Sequence, residues 1–109
     1  MAYSEELAER VRADLRGRVT VDERRMFGGL AYMLDGHMFA GVLGDQLIVR
    51  LGAERGARAL ERPHTAPMDF TGRPLKGFVY VASAGLESAG ELRRWLDEAI
   101  AFVRSLPPK

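Results

Sequence analysis

The chain has 109 residues, 47% of them hydrophobic and 28% charged, with a formal net charge of +1. These values fit one globular domain spanning 1–109, able to bury about 60–70% of its unfolded surface. They exclude a chain-wide field that would gather nucleic acid or anionic lipid. There is no cysteine, which excludes disulfides, thiol catalysis and thiolate metal sites and accords with a reducing cytoplasm, the expected location. The first residues, "MAYSEELAER", are charged and lack the apolar core of a signal peptide. No apolar run approaches the ~20 residues needed to cross a bilayer, so no membrane partner is expected.

Ser4 has the side chain of a helix N-cap, and Glu5 and Glu6 follow in the first turn, where the helix dipole favours anions. Leu7, Ala8, Val11 and Leu15 form one apolar stripe and Gly17 supplies a stop. A first helix is therefore predicted over Ser4 to Arg16. "VTVDERRMF" then changes period and predicts a short strand reaching Met26 and Phe27. After Gly28-Gly29, the runs "LAYML", "HMFAGVL" and "QLIVRL" are separated by Asp35-Gly36 and Gly44-Asp45. Such turn dipeptides between apolar runs predict an antiparallel meander of three or four strands.

"GAERGARALE" returns to a helical period, with Ala53, Ala57 and Leu60 as its expected inner face. Gly56 weakens that helix by about 1 kcal/mol relative to alanine, and Pro63 cannot continue it. "MDF" and "GFVYVA" predict two short strands joined by the turn-rich "TGRPLK". Ser88 and Glu91 then have capping-box spacing. Leu92, Trp95, Leu96, Ala99, Ile100 and Val103 follow at helical spacing, predicting an amphipathic helix over Ser88 to Ser105. The expected fold is α+β, a single domain with an antiparallel meander and a hairpin packed against N- and C-terminal helices.

Chemistry is sparse in this pattern. Gly28, Gly29 and Gly36 match neither dinucleotide nor P-loop spacing, and a strand rather than a helix follows them, so no phosphate cradle is expected. A bulge or tight turn suits Gly28-Gly29 better. His37 and His64 are the only histidines, without a zinc-type spacing; solvated or structural roles suit both. Asp35, Asp45 and Asp69 lie near turns, where aspartate bonds its own backbone. No catalytic, cofactor or metal-binding residue is assigned. Core packing is expected for most of the aromatics Phe27, Tyr32, Phe39, Phe70, Phe78, Tyr80 and Trp95. Met26, Met33 and Met38 fill the core or form a soft docking patch, and Met26 is expected to reach the core with Phe27. Arginine supplies nearly all the positive charge. Arg24, Arg25, Arg50, Arg55, Arg58 and Arg62 are the candidate interaction surface.

"RMFGGLAYMLDGHMFAGVLGDQLIVRLG", "PMDFTGRPLKGFVYV" and "ELRRWLDEAIAFV" together resemble the N-terminal domain of the TfoX/Sxy family. The likeness covers nearly the whole chain. It rests on Met26-Phe27-Gly28-Gly29, on Asp35-Gly36-His37-Met38-Phe39-Ala40, on the strand Leu47 to Arg50, and on Trp95 in the last helix. The resemblance implies an α+β domain without enzymatic activity. Full-length relatives regulate natural competence with the cAMP receptor protein at promoters and carry a second, C-terminal domain. This chain ends at Lys109, so a stand-alone N-terminal-type domain is expected. The leading expectation is a non-enzymatic protein-interaction module linked to transcriptional regulation, with another protein such as a transcription factor as partner. The alternative is weak nucleic-acid binding through an arginine-rich face, and a small-molecule pocket between sheet and helices is a third reading. Homodimerisation is open, because a short meander leaves edges to cover.

Overall fold

The computed structural model describes residues 3–26, 28–70 and 73–107. Helix α1, Glu5–Leu15, starts at Ser4, whose hydroxyl accepts from the Leu7 amide. Strands β1 (Asp22–Met26), β2 (Gly29–Leu34), β3 (His37–Leu43) and β4 (Gln46–Arg50) follow. Helix α2 (Ala53–Ala59), strands β5 (Thr65–Phe70) and β6 (Arg73–Val81), a 3-10 turn and helix α3 (Ala89–Arg104) complete the chain. The capping box at α3 is present in both directions between Ser88 and Glu91.

The six strands form one sheet in the order β1-β2-β3-β4-β6-β5, every neighbouring pair antiparallel. The α+β expectation holds. Both turn dipeptides close two-residue hairpins, Leu34 facing His37 and Leu43 facing Gln46. Asp35 and Gly36 have φ of 53° and 82°, the positive pair that a type I′ turn requires. The same spacing recurs where Met26 faces Gly29 across a turn containing Gly28 at φ 76°. Gly28 thus provides the turn that the sequence predicts.

Register sorts the side chains into two faces. Leu30, Tyr32, Ala40, Val42, Leu47, Val49, Val79 and Val81 share one face and one core. Every buried side chain of α1 and α3 joins that core, including the six predicted residues of the last helix. The next row, Arg24-Ala31-Gly41-Ile48-Tyr80-Ala66, runs across the other face. Half-buried Met33 and Met38 are directly paired beside it.

Three expectations require correction. Ala53, Ala57 and Leu60 do not form the inner face of α2; all three are exposed, and Gly56 and Ala59 are the buried positions. Gly56 lies against Gly77 of β6, where an added Cβ would come 3.0 Å from the Gly77 Cα. The strands around "TGRPLK" are longer than predicted, because pairing continues to Phe70 opposite Arg73. Finally, Met26 does not reach the core. It is 41% exposed, since β1 has a neighbouring strand on one side only and Met26 shares the rim with Asp22 and Arg24. Phe27 and the side chain of Phe70 lie outside the described residues. Tyr32, Phe39 and Trp95 are buried as predicted, while Phe78 and Tyr80 are half-buried.

Candidate interaction surface

The candidate arginines fall in three places, and Arg62 stands apart from the other five, bound to Glu98 of α3. Arg24 and Arg25 stand exposed on β1, an outermost strand of the sheet. Arg50 ends β4, three strands away, and Arg55 and Arg58 project from α2 just after it. At about 4.8 Å per strand, β2 and β3 alone keep the two groups well apart.

Arg55 and Arg58 border an open groove of about 500 Å³ lined by Leu51, Gly52, Ala53, Glu54, Arg55, Arg58 and Phe102, and Arg50 lies next to it against the Phe102 ring. Gly52 gives the groove its shape. At φ 88° it leads into α2, and a Cβ there would lie 2.5 Å from the Phe102 ring. The missing side chain lets Phe102 of α3 lie across the start of α2. The Arg50 guanidinium lies 5.5 Å from the Phe78 ring centroid and 5.6 Å from that of Phe102, within cation–π range. Arg58 makes an exposed helical pair with Glu54 at 3.0 Å. Among the described residues, no carboxylate pairs with Arg50 or Arg55.

Most other structured arginines have a partner. Arg62 donates to both Glu98 oxygens, at 2.9 and 3.1 Å, and its guanidinium lies 3.7 Å from the centre of the Trp95 ring. That pins the segment after α2 onto α3. Arg12 makes a two-pronged pair with Glu23 at 2.6 and 2.8 Å, joining α1 to β1. The Arg12 guanidinium holds the Glu23 carboxyl below its ordinary range. Asp14, with a side chain only 9% exposed, receives Arg93 at 2.9 Å and also Arg18, which bonds Asp97 as well.

The histidines do not converge. His37 is buried, its Nε2 2.7 Å from the Pro107 carbonyl and its Nδ1 without a partner among the described residues. Its ring ties the β2–β3 turn to the segment after α3. His64 is exposed at φ 66°. Among the described residues, no group of three or more His, Cys, Asp or Glu is placed to hold a metal ion. No described helix is long and apolar enough to cross a membrane. The predicted signature residues have separate structural places: Gly28, Gly29 and Gly36 at hairpin turns, Phe39 and Trp95 in the core, Met38 on the second sheet face.

The sequence pattern of the TfoX N-terminal domain matches residues 13–103. The chain belongs to the TfoX N-terminal domain family. The match runs from within α1 almost to the end of α3, so it covers the sheet, α2 and the groove together. No curated protein sequence matches the chain. Phe102 is the groove residue that the sequence reading passes over. Its signal was an apolar side chain one position before Val103, at the margin of the α3 stripe.

Proposed function

We propose that this TfoX N-terminal-type domain is a non-enzymatic protein-interaction module, acting in the cytoplasm in transcriptional regulation. Its groove between α2 and α3 docks an acidic segment of another protein, such as a transcription factor. The observation that carries this reading is the state of the arginines. Arg55 lines an open groove with Phe102, and Arg50 lies against the Phe102 ring; neither has a carboxylate partner among the described residues, Glu54 of the groove pairing with Arg58, whereas Arg12, Arg18, Arg62 and Arg93 are each held by one. Guanidinium groups next to an aromatic ring suit carboxylate-bearing side chains with an apolar flank. The distance between the β1 arginines and the α2 arginines favours this over a nucleic-acid stripe, which needs a continuous track of cations.

The test is affinity capture from native lysate with the native chain and the exposed-residue variant Arg55→Glu/Arg58→Glu in parallel. Proteins retained by the native chain and lost by the folded variant are expected. Equal retention by both overturns the groove reading. Titration with duplex and single-stranded nucleic acid over a salt series runs alongside. Binding whose log K falls linearly with log salt would replace the protein partner with a nucleic acid.

A further inference from the structure

The two edges of the sheet are not alike. On β5, Pro67 and a register shift between Pro67 and Asp69 interrupt the strand, devices that discourage another strand from adding. On β1, all five residues are exposed, pair with β2 in unbroken register and include no proline. Charged side chains normally protect such an edge. The order of charges here, Asp22-Glu23-Arg24-Arg25-Met26, has a different property: about Arg24, Glu23 and Arg25 complement each other when the strand meets its own reverse.

Backbone geometry identifies which groups are free. Met26 faces Gly29 with two residues between them, so these two form the hydrogen-bonded pair that closes the hairpin. Pairs alternate along an antiparallel ladder, so Arg24 with Ala31 and Asp22 with Met33 are also hydrogen-bonded pairs. The N–H and C=O groups of Glu23 and Arg25 therefore point away from β2, toward the open edge.

We infer that β1 is the interface of a homodimer in which the strands of two copies pair antiparallel about a two-fold axis through Arg24, extending the sheet across both molecules. A two-fold axis normal to a sheet requires a residue to face its own copy, because opposed residues must share a face. Centring on Arg24 is the register that overlaps all five strand residues. It places Glu23 opposite the second copy's Arg25, and Arg25 opposite its Glu23, at the positions where the outward backbone groups can exchange four hydrogen bonds. Both ion pairs lie on the helix-bearing face, where Arg12 already holds the Glu23 carboxylate in place. The unfavourable element is Arg24 facing its own copy. Asp22 lies diagonally across from it on the same face, and Met26 stands opposite Asp22. Shifting the axis to Glu23 overlaps less of the strand and sets the Glu23 carboxylates against each other.

The same geometry supplies the test. Proline at position 25 removes only an outward-pointing N–H and leaves the ladder to β2 intact. Arg25→Glu keeps the backbone and places glutamate opposite glutamate. Sedimentation of the native chain over a wide concentration range is expected to show a reversible dimer. Arg25→Pro and Arg25→Glu should both lose it while keeping native circular dichroism. Hydrogen exchange on the native chain reports the register directly. The Glu23 and Arg25 amides should slow as concentration rises, whereas the Arg24 amide is slow at every concentration. A native chain that stays monomeric, or a dimer that survives both variants, overturns the inference. Should Arg25→Pro fail to fold, Arg25→Glu and the exchange pattern still decide it.

Discussion

Tyr32 joins the sheet to a helix through one atom. Its ring is fully buried in the core, and its hydroxyl donates to the Ala8 carbonyl of α1 at 3.1 Å. Burial raises its ionisation above the ordinary phenol range, with the Glu23 carboxylate adding to the shift. A phenol kept neutral in the folded state favours folding fully below the unfolded value of about 10. That contribution is lost as pH rises above it, because the unfolded chain releases a proton that the folded chain retains. Tyr32→Phe should therefore cost about 1 kcal/mol near neutral pH, for the lost hydrogen bond. It should also flatten the decline of stability on the alkaline side. Urea unfolding of both proteins from neutral to strongly alkaline pH measures both effects. Parallel alkaline limbs would remove Tyr32 as the source.

The elements α2 and β6 meet through two glycines, and here local and tertiary preferences oppose each other. Helix propensity alone makes Gly56→Ala favourable by about 1 kcal/mol. The added Cβ, however, would meet the Gly77 backbone at 3.0 Å, and backbone cannot rotate aside as a side chain can. Overpacking of this kind costs typically about 1–3 kcal/mol, so steric cost is expected to outweigh propensity. Gly56→Ala should lower the midpoint of thermal unfolding, and a raised midpoint would mean that α2 lifts off β6 without cost. The same pair explains what could be read from sequence. Helix α3 was legible because its stripe, from Leu92 to Val103, follows from spacing within one element. The meander was legible because Asp35-Gly36 and Gly44-Asp45 act locally. The inner face of α2 was hidden because the reason for Gly56 lies in Gly77, on a strand distant in sequence. At the groove, Arg50, Arg55 and Arg58 were legible as a run of charge. Phe102 was not, because its place depends on Gly52 leaving room for a ring from the far end of the chain.

Across the whole molecule, both ends of the described chain are tied to turns of the central strands. The Ser4 amide donates to the Gly44 carbonyl at 2.7 Å, and Tyr3 bridges Gly44. At the other end, His37 Nε2 donates to the Pro107 carbonyl at 2.7 Å, across most of the chain length. The two ties differ in kind. The first joins backbone to backbone, whereas the second depends on one buried ring whose Nδ1 has no partner among the described residues. Replacing that ring by an apolar side chain removes a favourable hydrogen bond and a desolvated acceptor together, and these effects oppose each other. His37→Leu should therefore change global stability by less than about 1 kcal/mol. Its effect should instead be local. The last turn of α3 holds its Ser105 and Leu106 amides on Phe102 and Val103, and Phe102 borders the groove. Without the His37 tie, that turn should open more often, and hydrogen exchange at Ser105 and Leu106 should quicken while Leu96 and Ala99 stay protected. Uniformly faster exchange would mean that His37 supports the whole core. Unchanged exchange at Ser105 and Leu106 would mean that the tie does not hold the helix end. If the expected pattern appears, a contact made at the tip of the β2–β3 hairpin holds the end of the helix that brings Phe102 to the groove.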